Sequence, residues 1–435
     1  MFHETWITLV GYGWPARIHH EARKRDLADE VVAAMRQAEV LESGFATCVS
    51  DSQQWLEAFE AALRERVDTQ TADDFMAQLA QFDSTCDDSE LPLRLRLEQR
   101  FGTEGRDALL DTFLGAWIRE ADIAWLAAQG FNVVRVPMGY RSLTTGSDLS
   151  DIQQLDLNER ALERLDDLID WCAAHGVYAV IDIQEAPGGQ NTYAGEARLY
   201  TEPRFQQLTI ELWQALSDRY RERDAVAAYS LLAEPYGAPS DTARDEMYDR
   251  LVQAIRARGD DHLLVIHDGF RSMSSLPDPA EYGWQQVIYS THLFESGPDT
   301  VDEYRELIDQ IYRPVFAAAQ ADQGVPYYIG SFSTRYDAPW AHEAAGVMVD
   351  WYEAAGYSWS LWTFKKVPDP LFSEVFDYTD AWGLLSRLPA GAAFERPDLQ
   401  LDSRAELERK LGAYAGLDLQ PVDGLLEQLT RPMQP

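Results

Sequence analysis

Cysteine is scarce in this sequence of 435 residues, which contains only Cys48, Cys86 and Cys172. Their number is odd, they lie far apart, and their spacing does not match that of metal ligands, so the sequence predicts neither a disulfide framework nor a zinc site. We expect Cys172 to be a core residue. We also expect no metal and no cofactor. The glycines at 188 and 189 are interpreted as a turn that serves backbone geometry rather than as a phosphate-binding loop.

Basic residues are few, since 37 lysines and arginines stand against 73 aspartates and glutamates and leave a formal net charge of -36. This balance argues against nucleic acid and against anionic membrane surfaces as partners, because both repel an acidic protein at long range. Neutral ligands such as sugars remain compatible with it. The acidic residues are spread along the chain, and we interpret most of them as a solvated surface.

Long apolar runs are also missing. No segment approaches the about 20 apolar residues that are needed to span a bilayer. The start, MFHETWITLVGYG, has no basic region followed by a long apolar stretch, so it predicts no signal peptide. As written, the chain is expected to be soluble and cytoplasmic. If the natural start lies upstream, an extracellular location is the alternative, and the location therefore stays open.

The sequence is rich in apolar residues, at 46%, and in aromatic residues, at 11%, which is enough for a large core. From Gly130 onward, short β-branched and aromatic runs alternate with amphipathic helical patterns, as is typical of βα units around a parallel sheet. A closed (β/α)₈ barrel needs eight strands, and Trp6 to Val10 is the candidate for the eighth. The other predicted strands are Phe131 to Pro137, Val177 to Ile183, Val226 to Glu234, His262 to Asp268, Val287 to Phe294, Tyr327 to Phe332 and Ser358 to Phe364.

The predicted fold is thus an α/β (β/α)₈ TIM barrel over residues 106–395. Residues 1–105 contain the candidate eighth strand, Trp6 to Val10, which would come first along the chain. They also contain acidic amphipathic helices, which we interpret as an N-terminal helical cap over one barrel end. Residues 396–435 form a predicted C-terminal helical extension, with a helix pattern from Ser403 to Tyr414. The predicted cap helices are Leu27 to Val40, Trp55 to Val67 and Phe75 to Phe82.

Polar and aromatic residues stand at the predicted ends of the barrel strands, which is the face where enzymes of this fold build their sites. Arg135 is interpreted as the end of the first strand in FNVVRVPMGY, and Gln184 as the end of the next in VIDIQEAPGGQN. The remaining candidates at these strand ends and in the loop after Gln184 are Asn191, Ala233, Glu234, His292, Phe294, Ser331 and Trp362.

Three phrases of the sequence, WIREADIAWLAAQGFNVVRVPMGY, LDDLIDWCAAHGVYAVIDIQEAPGGQN and LLAEPYG, resemble glycoside hydrolase family 5, a cellulase-like family of retaining β-glycosidases. They occur in the family's order and on the expected strands, and the resemblance covers roughly residues 110–385. Retaining glycosidases use two carboxyl groups about 5 Å apart, one as acid/base and one as nucleophile. The resemblance therefore implies a cleft for β-linked glycans or β-glycosides at the strand ends.

Glu234 takes the acid/base position by this resemblance, because Ala233-Glu234-Pro235 matches the family's Asn-Glu-Pro signature. The asparagine, which normally binds the sugar's 2-hydroxyl, is replaced by Ala233. The nucleophile position in the Gly-Glu-Phe motif is occupied by Ser331. A serine hydroxyl is neutral, cannot offset an oxocarbenium-like charge, and needs an adjacent base to act as a nucleophile.

Two further residues depart from the family pattern, because Gln184 stands where the family has histidine and Phe294 replaces the tyrosine of the His-x-Tyr motif. The family pattern is kept at Arg135, His292 and the sugar-stacking position Trp362. Asn191, in the loop after Gln184, is expected to line the cleft, and Trp359 is assigned to packing.

Loss of the neighbouring carboxylate should favour the ionised form of Glu234, and we expect Glu234 to pair with Arg135 or His292. Ser331 is interpreted either as filling the space of the lost carboxylate or as a hydroxyl for which Asp337 is the candidate base. If the protein is an active enzyme, water or an unrecognised carboxylate takes the missing role. His292 is read as a hydrogen-bonded relic of the former site.

Two functions follow from these observations. One is a carbohydrate-binding protein in which hydrolysis is impaired or lost. The other is an active retaining β-glycosidase or transglycosidase that uses Glu234 as acid/base and a non-standard nucleophile. The sequence leaves open whether the protein is an enzyme or a pseudoenzyme, and the first function is favoured because loss of a catalytic nucleophile removes many orders of magnitude of rate.

Overall fold

The computed structural model describes residues 22, 25–38, 52–79, 90–145, 154–191, 197–295, 297–334, 338, 340–368, 383–389, 392, 394–399 and 401–431. The candidate eighth strand, Trp6 to Val10, and the candidate carboxylate Asp337 lie outside these residues.

A sheet of parallel strands forms the centre of the molecule. In the described part of the chain it contains seven strands in the order β1 to β7, each paired with the next along the sequence. Cα atoms of β1 and β7 approach to within 8 Å, so the sheet is a nearly closed barrel. The strands are β1 Val133–Gly139, β2 Tyr178–Glu185, β3 Val226–Ser230, β4 Leu263–His267, β5 Val287–Phe294, β6 Tyr327–Ser333 and β7 Ser358–Leu361.

All seven predicted strands are confirmed, and the largest corrections to their bounds are at the ends of β3 and β7. β3 ends at Ser230 rather than at Glu234, because the chain leaves the ladder and Glu234 adopts a positive φ of 51°. β7 ends at Leu361 rather than at Phe364, where the chain turns into a cis peptide bond between Trp362 and Thr363. Both strands therefore end before the residues that were expected to close them.

Helices surround the barrel and precede it. The helices are α1 Ala28–Gln37, α2 Ser52–Arg64, α3 Thr69–Leu79, α4 Glu90–Trp117, α5 Glu120–Ala128, α6 Glu159–His175, α7 Pro203–Tyr220, α8 Asp241–Arg256, α9 Pro279–Tyr282, α10 Val301–Leu307, α11 Arg313–Gln323, α12 Ala341–Ala355, α13 Arg404–Ala413 and α14 Asp423–Thr430. A π-helical turn, Ile308–Tyr312, joins α10 to α11.

The outer helices form where the sequence combines a cap with an apolar stripe. In α6, Asn158 accepts a hydrogen bond from the backbone N–H of Ala161, and Gly176 ends the helix in the left-handed conformation. The stripe that includes Leu165 and Cys172 is fully buried against the sheet. Burial raises the pKa of the Cys172 thiol to about 12, and the prediction that Cys172 is a core residue is confirmed.

The barrel interior changes from apolar to polar along the strands. Near their amino ends, one residue from each of six strands contributes to a single apolar cluster, formed by Val133, Val180, Ala228, Val265, Ile288 and Tyr328. Because side chains alternate between the two faces of a strand, the next inward-facing residue of each strand lies two positions after its member of this cluster. Those residues are polar in five strands, at Arg135, Asp182, Ser230, His267 and Ser290. The polar end of the interior is the carboxyl end of the strands.

Helices α1, α2 and α3 share a small core of their own, which includes Val31, Phe59 and Phe75. The predicted cap helices are thus present, whereas their position over a barrel end stays a prediction. Helix α4 contains Gly102 in a non-helical conformation, with φ 72° and ψ 171°, three residues before the predicted domain boundary at 105.

The C-terminal segment packs on the outside of the barrel. Tyr414, just after α13, contacts the rings of Phe113 and Trp117 of α4 at 4.9 and 5.6 Å between centroids. Helix α14 packs against α12. The predicted helix from Ser403 to Tyr414 is confirmed, and Ser403 caps it by accepting from the N–H of Glu406.

Among the helices that the structure describes, none is both long enough and apolar enough to cross a membrane.

Candidate functional site

An ion pair lies inside the barrel below the strand ends. Arg135 Nη2 lies 3.0 Å from Asp182 Oδ2 and 2.5 Å from Gln184 Oε1, and the side chains of Arg135 and Asp182 are 7% and 0% exposed. Arg135 does not end its strand as predicted, because β1 continues to Gly139 and its Arg135 side chain points inward from the middle of the strand. Its charge is neutralised there by Asp182, and little of the ion pair is exposed to solvent.

Glu234 and His292 form the second polar contact of the site. His292 Nδ1 lies 2.6 Å from Glu234 Oε1, and both residues are buried, at 4% and 5% exposure. Burial, together with the nearby charge of Arg135, lowers the pKa of His292 well below 6.5. A neutral imidazole that carries its proton on Nδ1 donates to the carboxylate of Glu234. Of the two partners expected for Glu234, the structure therefore places His292 against it, while Arg135 pairs with Asp182.

Ser331 lies on β6 opposite His292 of β5, where the ladder register shifts by one residue. Its side chain is 1% exposed, and its hydroxyl has no hydrogen-bond partner in the described part of the chain. Gly330 approaches the histidine closely, since a Cβ atom added there would lie 3.0 Å from His292 Nε2. The serine thus shares the site with Glu234 and His292 but is not hydrogen-bonded to the imidazole that would have to activate it.

The loop after β2 holds the turn that contains Glu234. Gln190 is fully buried, and its side-chain amide donates to the carbonyls of Gln184 and Ala233 at 2.7 and 2.8 Å. Asn191 Nδ2 lies 3.4 Å from the carbonyl of Glu234. Through these contacts Gln190 joins the ends of β2 and β3 and fixes the backbone on which Glu234 stands.

The glycines of the same loop serve backbone geometry, as predicted. Gly188 and Gly189 have positive φ angles of 81° and 73°. A Cβ atom at Gly188 would lie 2.5 Å from the ring of Phe205.

The remaining candidate residues differ in their exposure and in their position relative to the strand ends. Ala233 is completely buried, so its side chain does not line a cleft. Phe294 is 44% exposed at the end of β5, with its ring 6.1 Å from the ring of His292. Trp362 is half-buried, and its backbone N–H donates to the carbonyl of Phe332 at 3.0 Å, which places it beside the end of β6. Trp359 packs edge-on against the Phe332 ring, which confirms its assignment to packing.

A second buried histidine lies beside the first and was not predicted. The rings of His267 and His292 contact each other edge to face, with 4.4 Å between centroids. His267 Nδ1 accepts a hydrogen bond from the N–H of Gly269 at 2.9 Å, and burial lowers the pKa of His267 well below 6.5. Its position could have been found from the sequence, since His267 and His292 are inward-facing residues near the ends of adjacent strands.

Asp182 and Gln190 were also missed as site residues. Asp182 is two positions before Gln184, and the alternation of side chains along β2 places both inside the barrel. Gln190 had no sequence signal of its own, because its role depends on where the loop folds back on the two strand ends.

Asp268 connects the second histidine to the loop that follows β4. Its Oδ1 accepts from the backbone N–H of Phe270 at 3.0 Å, and its backbone carbonyl accepts from the buried Arg244 at 2.8 Å. Burial raises the pKa of the Asp268 carboxyl from 3.8 to about 6. The folded protein therefore binds this proton more tightly than the unfolded chain does.

This difference predicts a pH dependence of stability. The contribution of Asp268 is fully present below about pH 4 and is lost as the pH rises through about 6, by up to about 3 kcal/mol. Asp268→Asn keeps the acceptor oxygen but cannot ionise, so we expect its unfolding free energy relative to the wild type to increase between pH 4 and pH 7. Denaturant unfolding of both proteins at several pH values measures this difference. A difference that does not change with pH would contradict the assignment.

A comparison with models of known protein families identifies the family of this chain. The model of the cellulase family, glycosyl hydrolase family 5, matches residues 100–367, which is more than half of the chain. The chain belongs to glycoside hydrolase family 5.

Curated relatives are similar over part of the chain. A protein named β-xylosidase from Phanerodontia chrysosporium is 35% identical over 211 residues, covering 47% of this chain and 43% of that protein. A probable glucan 1,3-β-glucosidase A from Neosartorya fischeri is 30% identical over 206 residues, covering 46% of this chain and 48% of that protein. The chain thus matches less than half of the length of either relative.

Solved structures share the fold. An endogalactoceramidase aligns with a TM-score of 0.53 and 20% identity, covering 72% of this chain and 75% of that one. Cel5A of Thermotoga maritima, solved in complex with cellobiose, aligns with a TM-score of 0.52 and 17% identity, covering 72% of this chain and 90% of that one. These likenesses bear out the predicted barrel fold.

Proposed function

We propose that this protein binds a β-linked glycan or β-glycoside at the carboxyl ends of its barrel strands and that its hydrolytic activity is strongly impaired or lost. The observation that carries the proposal is the pairing of Glu234 with His292, opposite a buried Ser331 whose hydroxyl has no hydrogen-bond partner among the described residues. An acid/base residue is present in this arrangement, and the group that should attack the anomeric carbon is a neutral hydroxyl.

Binding of a β-linked sugar is supported by what the similar proteins are named for. They include a β-xylosidase, a glucan 1,3-β-glucosidase and a cellobiose complex. In this chain, Gln184, Glu234 and the half-buried Trp362 place polar groups and an aromatic ring at or just after the carboxyl ends of barrel strands, and a sugar site usually combines both.

Loss of hydrolysis is supported by the contacts of two carboxyl groups near the site, those of Asp182 and Glu295. Asp182 is fully buried and held by Arg135, below the level of Gln184. Glu295, just after β5, accepts a hydrogen bond from Tyr312 of the outer π-helical turn, and burial raises the pKa of its carboxyl. Both carboxyl groups are thus bound by other side chains of the protein.

Calorimetric titration with oligosaccharides of β-1,3-glucan, β-1,4-glucan and β-1,4-xylan, followed by product analysis of the same samples, tests the proposal. We expect at least one of these ligands to bind and to remain uncut. Trp362→Ala should weaken that binding by about tenfold, because a stacking surface is lost. Tyr178→Ala, which removes an aromatic ring that is 53% exposed at the opposite end of the barrel, is the matched control and should leave the affinity unchanged.

Absence of binding to the whole panel would refute the proposed function. Cleavage at a rate of about 1 per second or more would instead support the alternative, an active retaining glycosidase with Glu234 as acid/base and a non-standard nucleophile.

A further inference from the structure

Two phenylalanine rings are exposed at the mouth of the site. Phe270, in the loop after β4, is 46% exposed, and Phe294, at the end of β5, is 44% exposed. Their ring centroids lie 6.4 and 6.1 Å from that of His292, which itself contacts Glu234. We call Phe270 and Phe294 the phenylalanine rim. It stands directly over the polar pair of the site.

Phe270 is held in a conformation that phenylalanine rarely adopts, with a φ of 61°. Non-glycine residues rarely adopt this strained conformation, which persists where the surrounding structure fixes it, often at ligand-binding sites. Because the ring is 46% exposed, it also gains only part of the stabilisation that burial would give. Folding alone gives no reason to place phenylalanine at this position, so a role for the ring itself is indicated.

The loop of Phe270 is fixed on both sides. Asp268 accepts from the Phe270 N–H, and Arg244 binds the Asp268 carbonyl and, through Nη2, the carbonyl of Ser275 at 2.7 Å. Gly269 packs so closely on the chain after Glu234 that a Cβ atom there would lie 3.1 Å from the carbonyl carbon of Pro235. The loop that carries Phe270 is therefore held against the turn that presents Glu234.

The polar groups beside Phe270 are already engaged within the protein. Arg271 Nη1 lies 3.0 Å from Asp241 Oδ1, and its Nη2 donates to the carbonyl of Ala238. Ser272 and Ser274 are hydrogen-bonded to each other through their hydroxyls. A second sugar at this place would need hydrogen-bond partners as well as an aromatic face. The rim instead offers apolar surface.

We propose that the phenylalanine rim binds an apolar aglycone, an alkyl or aryl group attached through oxygen to a sugar that the polar residues below it hold. The inference rests on the proposed function and adds to it the class of ligand, an amphiphilic β-glycoside. The hydroxyl that the family's tyrosine would bring to this mouth is absent at Phe294, which makes the rim entirely apolar.

The test compares octyl β-glucoside, below its critical micelle concentration, with methyl β-glucoside and cellobiose, by ligand-observed NMR titration of the whole protein. We expect the octyl glycoside to bind at least about tenfold more tightly than the methyl glycoside. Phe270→Gly removes the ring and suits the positive φ, so the variant should stay folded and lose most of this gain. Ile311→Ala, which truncates an apolar residue that is 53% exposed on the outer π-helical turn, is the control and should keep the gain.

Equal affinity for the octyl and methyl glycosides would overturn the inference while cellobiose binding still upheld the proposed function. An equal loss of cellobiose and octyl glycoside affinity in Phe270→Gly would also overturn it, because the rim would then be a subsite for a second sugar. If neither glycoside nor cellobiose binds, and the oligosaccharide panel fails too, the proposed function itself falls.

Discussion

Replacing Ser331 by glutamate is expected to increase the rate of hydrolysis of an activated aryl β-glycoside by about 10³-fold or more over the wild-type protein. The new carboxylate would stand opposite His292 on the neighbouring strand, in the same site as Glu234. It can attack the anomeric carbon and offset the positive charge of the transition state, which the serine cannot do. An activated leaving group needs little help from an acid, so the first step, formation of the glycosyl intermediate, depends mainly on the nucleophile.

Two controls accompany this variant. Ser331→Gln has nearly the same shape without the charge and should remain inactive. Adding Glu234→Gln to Ser331→Glu should slow the second step, hydrolysis of the glycosyl intermediate, because no general base then activates water. If the wild type and Ser331→Glu hydrolyse the glycoside equally fast, the assignment of position 331 as the nucleophile position is wrong.

The second large effect is expected from Arg135→Met, which should lower the unfolding free energy by about 3–5 kcal/mol. The substitution keeps an unbranched side chain in the barrel but leaves Asp182, which is 0% exposed, without its positive partner. It also removes the donor that Gln184 Oε1 binds. Chemical denaturation of the two proteins measures the difference.

The double variant Arg135→Met with Asp182→Asn separates the lost ion pair from lost packing. It should recover part of the stability, because no uncompensated charge remains in the barrel. A loss below about 1 kcal/mol in Arg135→Met alone would mean that water reaches the pair, contrary to the burial of both side chains.

The sequence was sufficient to predict the barrel because its strands are short runs of β-branched and aromatic residues that alternate with capped amphipathic helices. The contact between Glu234 and His292 was one of the two pairings predicted for Glu234, since both residues stand in family motifs near the carboxyl ends of barrel strands. The end of β3 was not predictable, because the ladder stops at Ser230 and Glu234 takes a positive φ, and both depend on the loops that pack against this turn.

The residues that the sequence did not indicate act through tertiary contacts. Gln190 matters because its loop folds back on two strand ends, and no local pattern predicts this. Phe270 was overlooked because an aromatic residue next to a glycine is ordinarily a turn or a core position, and its exposure and positive φ become visible only in three dimensions. The family motif indicated Arg135 as a site residue but did not give the length of β1. Arg135 was therefore expected at the end of its strand, whereas β1 continues to Gly139.

The central claim, that hydrolysis is lost because Ser331 occupies the nucleophile position, is tested most directly by trapping the covalent intermediate. The wild type and Ser331→Glu are incubated with an activated 2-deoxy-2-fluoro β-glycoside, which slows release of the glycosyl group, and their intact masses are measured. We expect one added glycosyl group on Ser331→Glu, located by peptide mapping at residue 331, and none on the wild type. A glycosyl group attached to any carboxylate of the wild-type protein would contradict the claim.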